Sequence, residues 1–414
     1  MDGEPSAWDK IKKYLKKLKK KISPHFMLNK DQRVYSNVIE FRDTGTHKFH
    51  LRVLDNAKAI LAIDAKFILY LNQTAMVYFE QFIEGKSLEE IQEYFTRYFR
   101  TTKQEVAEDY NEMMDKIELL LTTEDACPFT EIGFTPKTPF KVSEFPLRVD
   151  LAITYRCNNS CGHCYVARDQ NFPELELSAI KKILDKLWEI GVPHVALTGG
   201  EPTVREDFLD IIEYGQEKGF IMGVITNGRK FKDEKLVKEA IKKGLDYAQI
   251  TLESHIKDIH DKMVNVNGAF EETVQAIKNF EKEDIFFMTN TTLCKHNIEN
   301  IKDTILFLEK LGVKTFACNG LIYSGKGKDF EEGIAEKELE PILTQINHTA
   351  IRHDMRFIWY SPTQYCSLNP VELGLGPKRC SAANVSIAIE PNGEVLPCQS
   401  YFESVGNILE KDWE

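Results

Sequence analysis

Three cysteines fall within eight residues, in the run Cys157-Asn-Asn-Ser-Cys161-Gly-His-Cys164. Thiolates are soft metal ligands. Intervals of three and two residues let one short loop wrap a face of a compact metal centre. A four-iron cluster takes four ligands, so this loop would leave one iron open. Structural zinc is the alternative, with His163 available as a fourth ligand. A second run with chemical potential is Leu197-Thr198-Gly199-Gly200-Glu201-Pro202. Its two glycines let backbone approach a ligand closely. Its carboxylate and neighbouring backbone acceptors suit an ammonium group.

Both runs follow strand-like segments, and those segments belong to a longer series. Strands are expected at 147–155, 194–198, 220–226, 247–252, 285–292 and 314–319, with a helix in each gap. In the helix expected over 178–190, Ile180, Ile183, Leu184, Leu187 and Trp188 share one apolar stripe. Six strand–helix repeats predict a parallel sheet with right-handed crossovers. That is too few for a closed eight-stranded barrel, so a partial barrel or open sheet is expected. Chemistry should then gather at the C-terminal ends of the strands. A cluster with an open iron beside a site for an amino acid's ammonium group describes bound S-adenosylmethionine.

The combination closely resembles the radical SAM superfamily. The resemblance is carried over 147–325 by C-x3-C-x2-C after the first strand, GGEP after the second, ITNG at 225–228 and ITLES at 250–254. It implies that Cys157, Cys161 and Cys164 hold a [4Fe–4S] cluster, and that Gly199, Gly200 and Glu201 hold the methionyl end of S-adenosylmethionine. It implies a ribose contact for Thr251 and a planar neighbour of the adenine in His163, where the family usually has an aromatic residue. The activity implied is reductive cleavage of the sulfonium to a 5′-deoxyadenosyl radical that abstracts hydrogen from a substrate. A flavodoxin- or ferredoxin-like electron donor is implied with it. On this reading, Glu201→Ala should weaken S-adenosylmethionine binding and leave cluster assembly intact.

Cys366, Cys380 and Cys398 form a later group, around a hairpin signal at Asn392-Gly393 between two apolar runs. The group resembles the start of a SPASM or Twitch extension, which implies an auxiliary iron–sulfur cluster. It departs from that pattern because no glycine stands five residues before Cys380. The expectation is a short or truncated extension over 326–414. Cys318 could supply a fourth thiolate, although its place in a strand favours burial. Cys294 is expected in the core, and Cys127 is expected to be inert.

Upstream, residues 40–122 read as a small α+β unit. Strands are expected at 47–54, 58–63 and 67–71, joined by short turns. Three helices follow. Asn72 caps the first, and Ser87 with Glu90 and Thr102 with Glu105 form capping boxes for the others. The pattern is winged-helix-like. With FILYLNQTA at 67–75 and IEGKSLEEI at 83–91, it resembles the RiPP recognition element, whose prototype is the peptide chaperone of PQQ biosynthesis. That resemblance implies a precursor peptide as partner, its leader added as a strand to the sheet edge. Residues 123–146, with four prolines, read as a linker.

The 414 residues carry 53 basic and 64 acidic side chains, a net charge of −11, which argues against nucleic acid as a partner. Residues 1–30 depart from this with a local charge of +6. Within them Trp8, Ile11, Leu15, Leu18 and Ile22 recur at helical spacing among lysines. A helix over 8–22 could contact an anionic membrane surface or dock on the acidic body. The odd cysteine count, without a signal-peptide core, predicts a reducing, cytoplasmic setting. The fold class expected is α/β: a partial (β/α)6 barrel with the N-terminal α+β unit and a small cysteine-containing extension. The function expected is maturation of a ribosomally made peptide. The alternatives are a radical SAM enzyme acting on a small molecule, lipid or protein side chain, and a non-catalytic peptide-binding iron–sulfur scaffold.

Overall fold

The computed structural model describes residues 34–54, 59–64, 67–122, 145–166, 168–411 and 413. The expected 8–22 helix, Cys127 and nearly all of the expected linker lie outside them. Two compact units divide the chain, Met1–Lys141 and Val142–Glu414.

The first unit is an antiparallel sheet in the order β1-β2-β3-β4, formed by Val34–Glu40, Thr46–Val53, Ala59–Ile63 and Phe67–Leu71. Three of these match the expected strands. β1 is an addition, paired along its whole length with β2 from Val34↔Arg52 to Glu40↔Thr46. Helices α1 (Gln73–Ile83), α2 (Leu88–Tyr98) and α3 (Lys103–Thr122) follow. Their starts are set by side chains that satisfy otherwise orphaned backbone donors. Asn72 accepts from the Ala75 N–H at 2.9 Å. Ser87 and Glu90 bond reciprocally, as do Thr102 and Glu105. Phe49, Leu51, Leu61, Met76, Phe79 and Ile91 fill the core, and Tyr78 stacks on Phe95 with ring centroids 4.0 Å apart. β1 and β4 are the two edge strands of this sheet.

The second unit holds a ten-stranded sheet. Its centre is the expected parallel ladder: β5 (Arg148–Thr154), β6 (His194–Gly199), β7 (Ile221–Thr226), β8 (Tyr247–Thr251), β9 (Phe286–Leu293) and β10 (Thr315–Gly320). The helices α4 (Leu177–Ile190), α5 (Phe208–Lys218), α6 (Glu234–Lys242), α7 (Lys257–Val264), α8 (Ala269–Glu281), α9 (Ile301–Lys310) and α10 (Glu336–Arg352) lie between and after the strands. The ladder runs further at both ends than the sequence suggested. β11 (Arg356–Trp359) pairs in parallel with β10. β12 (Ser386–Ile389) pairs in parallel with β5 on its other side. The hairpin expected at Asn392-Gly393 is formed by β12 and β13 (Glu394–Leu396), followed by β14 (Gly406–Asn407). The segment expected as an appendage therefore shares its sheet with the barrel, and the strand leading to the cysteines is internal.

Alternation along the strands separates two faces. Val149, Leu151 and Ile153 of β5 join the buried core with Val195, Leu197, Val224 and Ile250. Arg148, Asp150 and Thr154 take the opposite, inner face. Arg148 keeps 31% of its side-chain surface exposed. Arg148 is the first residue of β5, at the end of the strand. A polar inner lining follows, with His194 Nε2 2.7 Å from the Tyr247 hydroxyl and the Tyr360 hydroxyl donating to Gln249 Oε1 at 3.2 Å.

Candidate active site at the strand ends

From the end of β5 the chain passes through Tyr155 and Arg156 into the cysteine loop, and the β6 turn is clamped onto it. Gly200 N donates to Thr154 O at 2.8 Å, and Glu201 N to Arg156 O at 2.9 Å. Gly199 has φ +135°, and a Cβ there would stand 1.8 Å from Thr154 O. A Cβ on Gly200 would stand 2.4 Å from Arg156 O. The glycines were expected to make room for a ligand. The closest approach they permit is between two pieces of backbone, and it fixes the approach to Cys157.

Glu201 is fully buried. Its Oε1 accepts from Thr203 N (3.1 Å), Thr203 Oγ1 (2.6 Å) and Thr226 Oγ1 (2.8 Å), and its Oε2 from Asn227 N (2.7 Å). Burial raises its pKa against the pull of these hydrogen bonds. The carboxylate thus fastens the β6 turn to the β7 turn. Oε2, with one protein donor, keeps acceptor capacity for an ammonium group. Asn227 extends the linkage, donating from Nδ2 to Asn158 Oδ1 at 2.7 Å. Arg229 binds Asn159 Oδ1 at 3.0 Å and the Asn158 carbonyl. From the other side, Ser160 N and Gly162 N donate to Val264 O and Met263 O. The ITNG motif at 225–228 gives no role to Thr226 or Asn227 by sequence alone. Their importance lies in contacts 25 and 69 residues away, which no local pattern announces.

Cys157, Cys161 and Cys164 are half-buried free thiols. Burial pushes Cys157 up to about 11, opposed by the Asn159 N–H, with Glu201 and Cys164 adding to the rise. Cys161 is raised well above its ordinary value by burial, then by Cys164, Glu253 and Cys157. The thiols therefore sit within one another's fields, where iron binding would stabilise their thiolates. One ring nitrogen of His163 is engaged away from that set, and its buried Nδ1 has no partner among the described residues. Its Nε2 lies 2.9 Å from Glu253 Oε1. Burial opposes its protonation, and the Glu253 charge and hydrogen bond overcome that opposition, so its pKa is raised. Among the described residues, no three His, Cys, Asp or Glu side chains converge on a single-ion position. A cubane spreads its thiolates over separate irons and asks for no such convergence. Three free thiols on one short loop fit a cluster.

The imidazole packs edge-to-face on Phe330 with centroids 5.9 Å apart. Glu253, fully buried, also accepts from Thr292 N at 2.8 Å. It is part of ITLES, and its pairing with His163 spans 90 residues. Thr251 ends β8, partly buried, in register with Asn290 of β9. Asn290 donates to Asn319 at 2.8 Å, and its buried Oδ1 has no partner. That leaves a polar acceptor beside the expected ribose position.

The later cysteines are on neighbouring loops. The Tyr365 hydroxyl donates to Lys378 O and accepts from Lys378 N, which joins the Cys366 and Cys380 segments. Ala383 N donates to Pro397 O, which joins the Cys380 segment to Cys398. Cys366 and Cys380 are exposed, so simple burial does not account for them. Cys318 and Cys294 are buried, as their strand positions suggested.

Residues 151–308 match the Radical SAM superfamily. The AdoMet-dependent heme synthase of Methanosarcina barkeri is 27% identical over 286 residues, 64% of this chain and 80% of that protein. The antilisterial bacteriocin subtilosin biosynthesis protein AlbA of Bacillus subtilis is 29% identical over 278 residues, 65% of this chain and 59% of that protein. The match thus spans less than two thirds of AlbA. Streptococcus suis SuiB bound to its precursor peptide SuiA shares the fold with TM-score 0.63 and 16% identity, over 92% of this chain and 86% of SuiB. SuiB bound to S-adenosylmethionine aligns with TM-score 0.62. With the cysteine loop, the clamped GGEP turn and the parallel ladder in place, residues 151–308 form a radical SAM domain, a kind of domain that uses a [4Fe–4S] cluster and S-adenosylmethionine.

Proposed function

We propose that this enzyme modifies a ribosomally made precursor peptide, with residues 40–122 capturing the leader. One observation carries the reading. β4 is an edge strand of a four-stranded antiparallel sheet, with β1 as the opposite edge. Ile68 and Tyr70 on β4 are exposed at 47% and 43%. An extended peptide gains backbone hydrogen bonds at such an edge, and alternate side chains give specificity. Relatives whose names concern peptide products, AlbA and the PqqA peptide cyclase of Bradyrhizobium diazoefficiens, support it.

In the barrel, Cys157, Cys161 and Cys164 hold the cluster, and Gly199, Gly200, Glu201, His163 and Thr251 border S-adenosylmethionine. When bound, the cluster supplies the electron that splits S-adenosylmethionine and so begins hydrogen abstraction. The polar inner face, with Arg148, Asp150 and Tyr360, orients the substrate. Cys366, Cys380 and Cys398 hold an auxiliary iron–sulfur cluster within 326–414. A flavodoxin- or ferredoxin-like protein delivers the electron, in the cytoplasm. The product is a crosslink, thioether or carbon–carbon, or another side-chain or backbone change.

The test is anaerobic reaction of the reconstituted enzyme with short peptides encoded beside its gene. A crosslink is expected as loss of two hydrogens in the mass spectrum, and Ile68→Glu with Tyr70→Glu should weaken leader binding. Several relatives are heme synthases, so an iron porphyrin precursor belongs in the same assay. Turnover of that precursor with no peptide bound would overturn the proposal.

A further inference from the structure

We propose that the basic face formed by residues 229–243, beside the cysteine loop, is the docking surface for an acidic, low-potential one-electron carrier protein. The inference rests on the radical SAM reading of that loop and adds the place and charge of the partner. In a chain of net charge −11, residues 229–243 hold seven basic side chains against Asp233, Glu234 and Glu239. They form a short turn, Arg229–Lys232, and then α6.

This face touches the cluster loop itself. A cleft of about 610 Å³ opens between Asn158 and the residues Lys235, Leu236 and Glu239 of α6. Asn158 is the immediate neighbour of Cys157. Arg229 spans the two sides, bonded to the Asn158 carbonyl and to Asn159 Oδ1, with Nε on Glu272 at 2.6 Å. Lys232 pairs with Glu272 at 2.5 Å and Lys238 with Glu234 at 2.7 Å. Lys230 and Lys235 are exposed and make no ion pair among the described residues. On the other flank of the loop, Lys326 Nζ donates to Ser160 Oγ at 3.2 Å.

The arrangement selects among anionic partners. Unpaired ammonium groups around one short loop steer an acidic protein to that loop. A membrane-surface helix would also present an apolar face for insertion. Here the apolar residues Val237 and Ala240 of α6 are buried in the core, and Leu236, the one apolar residue lining the cleft, is packed against that core. The reaction supplies the remaining argument. Each cleavage consumes one electron: the carrier is oxidised by one equivalent, and the C5′–S bond of one S-adenosylmethionine breaks. A carrier seated in this cleft is one residue from a cluster ligand.

The experiment compares wild type, Lys230→Glu/Lys235→Glu, and a control on α9, Lys302→Glu/Lys310→Glu. Affinity for a flavodoxin is measured by calorimetry at low and moderate salt. Formation of 5′-deoxyadenosine is measured with reduced flavodoxin and, separately, with dithionite. The 230/235 variant is expected to bind flavodoxin at least about tenfold more weakly, a loss of about 1.4 kcal/mol, with its salt dependence flattened. Its flavodoxin-driven turnover should fall while dithionite-driven turnover stays at the wild-type rate, and the control should match wild type in all three. Unchanged flavodoxin affinity, equal weakening in the control, or a parallel loss with dithionite overturns the proposal. So does loss of binding to phosphatidylglycerol vesicles with flavodoxin affinity intact, which would make the face a lipid contact. Absence of 5′-deoxyadenosine from the wild type with dithionite would instead count against the radical SAM reading.

Discussion

Replacing Glu201 separates two roles that the sequence could not. Its carboxylate receives four hydrogen bonds from Thr203, Thr226 and Asn227. In Glu201→Ala the two hydroxyls can rotate to other acceptors, but the Thr203 and Asn227 N–H groups cannot. Each buried donor left without a partner costs about 1–3 kcal/mol. The two together cost about 2–6 kcal/mol, offset in part because a buried carboxylate no longer has to be desolvated. In a unit of this size that lowers Tm by on the order of 5–15 °C. The loss is felt at the cysteines, because Asn227 holds Asn158 at 2.7 Å. Glu201→Gln keeps one acceptor oxygen and turns an NH2 group against Asn227 N–H, so it should fall between wild type and Ala. The assays are calorimetric unfolding of the apo chain, iron and sulfide content after reconstitution, and S-adenosylmethionine binding to the reconstituted chain. The expected outcome is a lower Tm, incomplete iron and weaker binding together. That differs from the sequence expectation of an intact cluster. A variant with wild-type Tm and full iron that loses only S-adenosylmethionine would refute the fastening role and leave Glu201 as a direct partner of the ammonium group.

Changing Cys157, Cys161 and Cys164 together to Ala should abolish S-adenosylmethionine cleavage and remove about four irons; cleavage that survives would remove these residues from the chemistry. The Cys366, Cys380 and Cys398 triple variant should lose its own iron and still cleave S-adenosylmethionine, and iron content equal to wild type would mean that no auxiliary cluster exists. A Cβ on Gly223 would lie 1.9 Å from Tyr247 Cε1, so Gly223→Ala should displace that ring, break its bond to His194 and cost about 1–3 kcal/mol in chemical unfolding. Glu80 is buried beside Tyr35, whose hydroxyl donates to it at 2.8 Å. Burial, with the Glu84 charge, outweighs that bond and raises its pKa above 4.5. The folded state then binds the proton more tightly than the unfolded state, so stability is highest below the unfolded pKa and falls as pH rises through the folded one. Glu80→Gln should remove that decline in hydrogen exchange of residues 34–122 measured at about pH 4 and pH 7, and an unchanged decline would place its origin elsewhere.

What could be read in advance was local. Asn72, Ser87 with Glu90, and Thr102 with Glu105 mark helix starts because the bonds they make lie within three residues. The β5–β10 ladder was readable because each apolar strand alternates with an amphipathic helix. The cysteine loop was readable because its ligands are contiguous. The missed elements depend on distant partners. β11 and β12 are four-residue strands whose neighbours are β10 and β5, and four residues carry too little period to be noticed. β1, VYSNVIE, has only Tyr35 fully buried, so its pattern says little about a core. In the site, residue types were clear and pairings were not. Glu253 and His163 stand 90 residues apart, and only the folded barrel brings them together.

The parallel pairing of β5 with β12 has a consequence for how the protein is made. Tyr155, at the end of β5, bonds through its hydroxyl to Glu390, at the end of β12, a partner 235 positions later. On the ribosome, the strand that feeds the cysteine loop therefore waits with one hydrogen-bonding edge bare until nearly the whole barrel has been synthesised. Closing so long a loop costs little more at equilibrium than closing a short one, because the entropy grows only with the logarithm of length. The delay is kinetic: distant parallel pairing is slow, and a bare edge invites association with other chains. Three free thiols lie just beyond that edge throughout the wait. Conditions that slow translation relative to folding of the earlier strands, or that load iron before β12 arrives, should raise aggregation without changing the stability of the finished molecule.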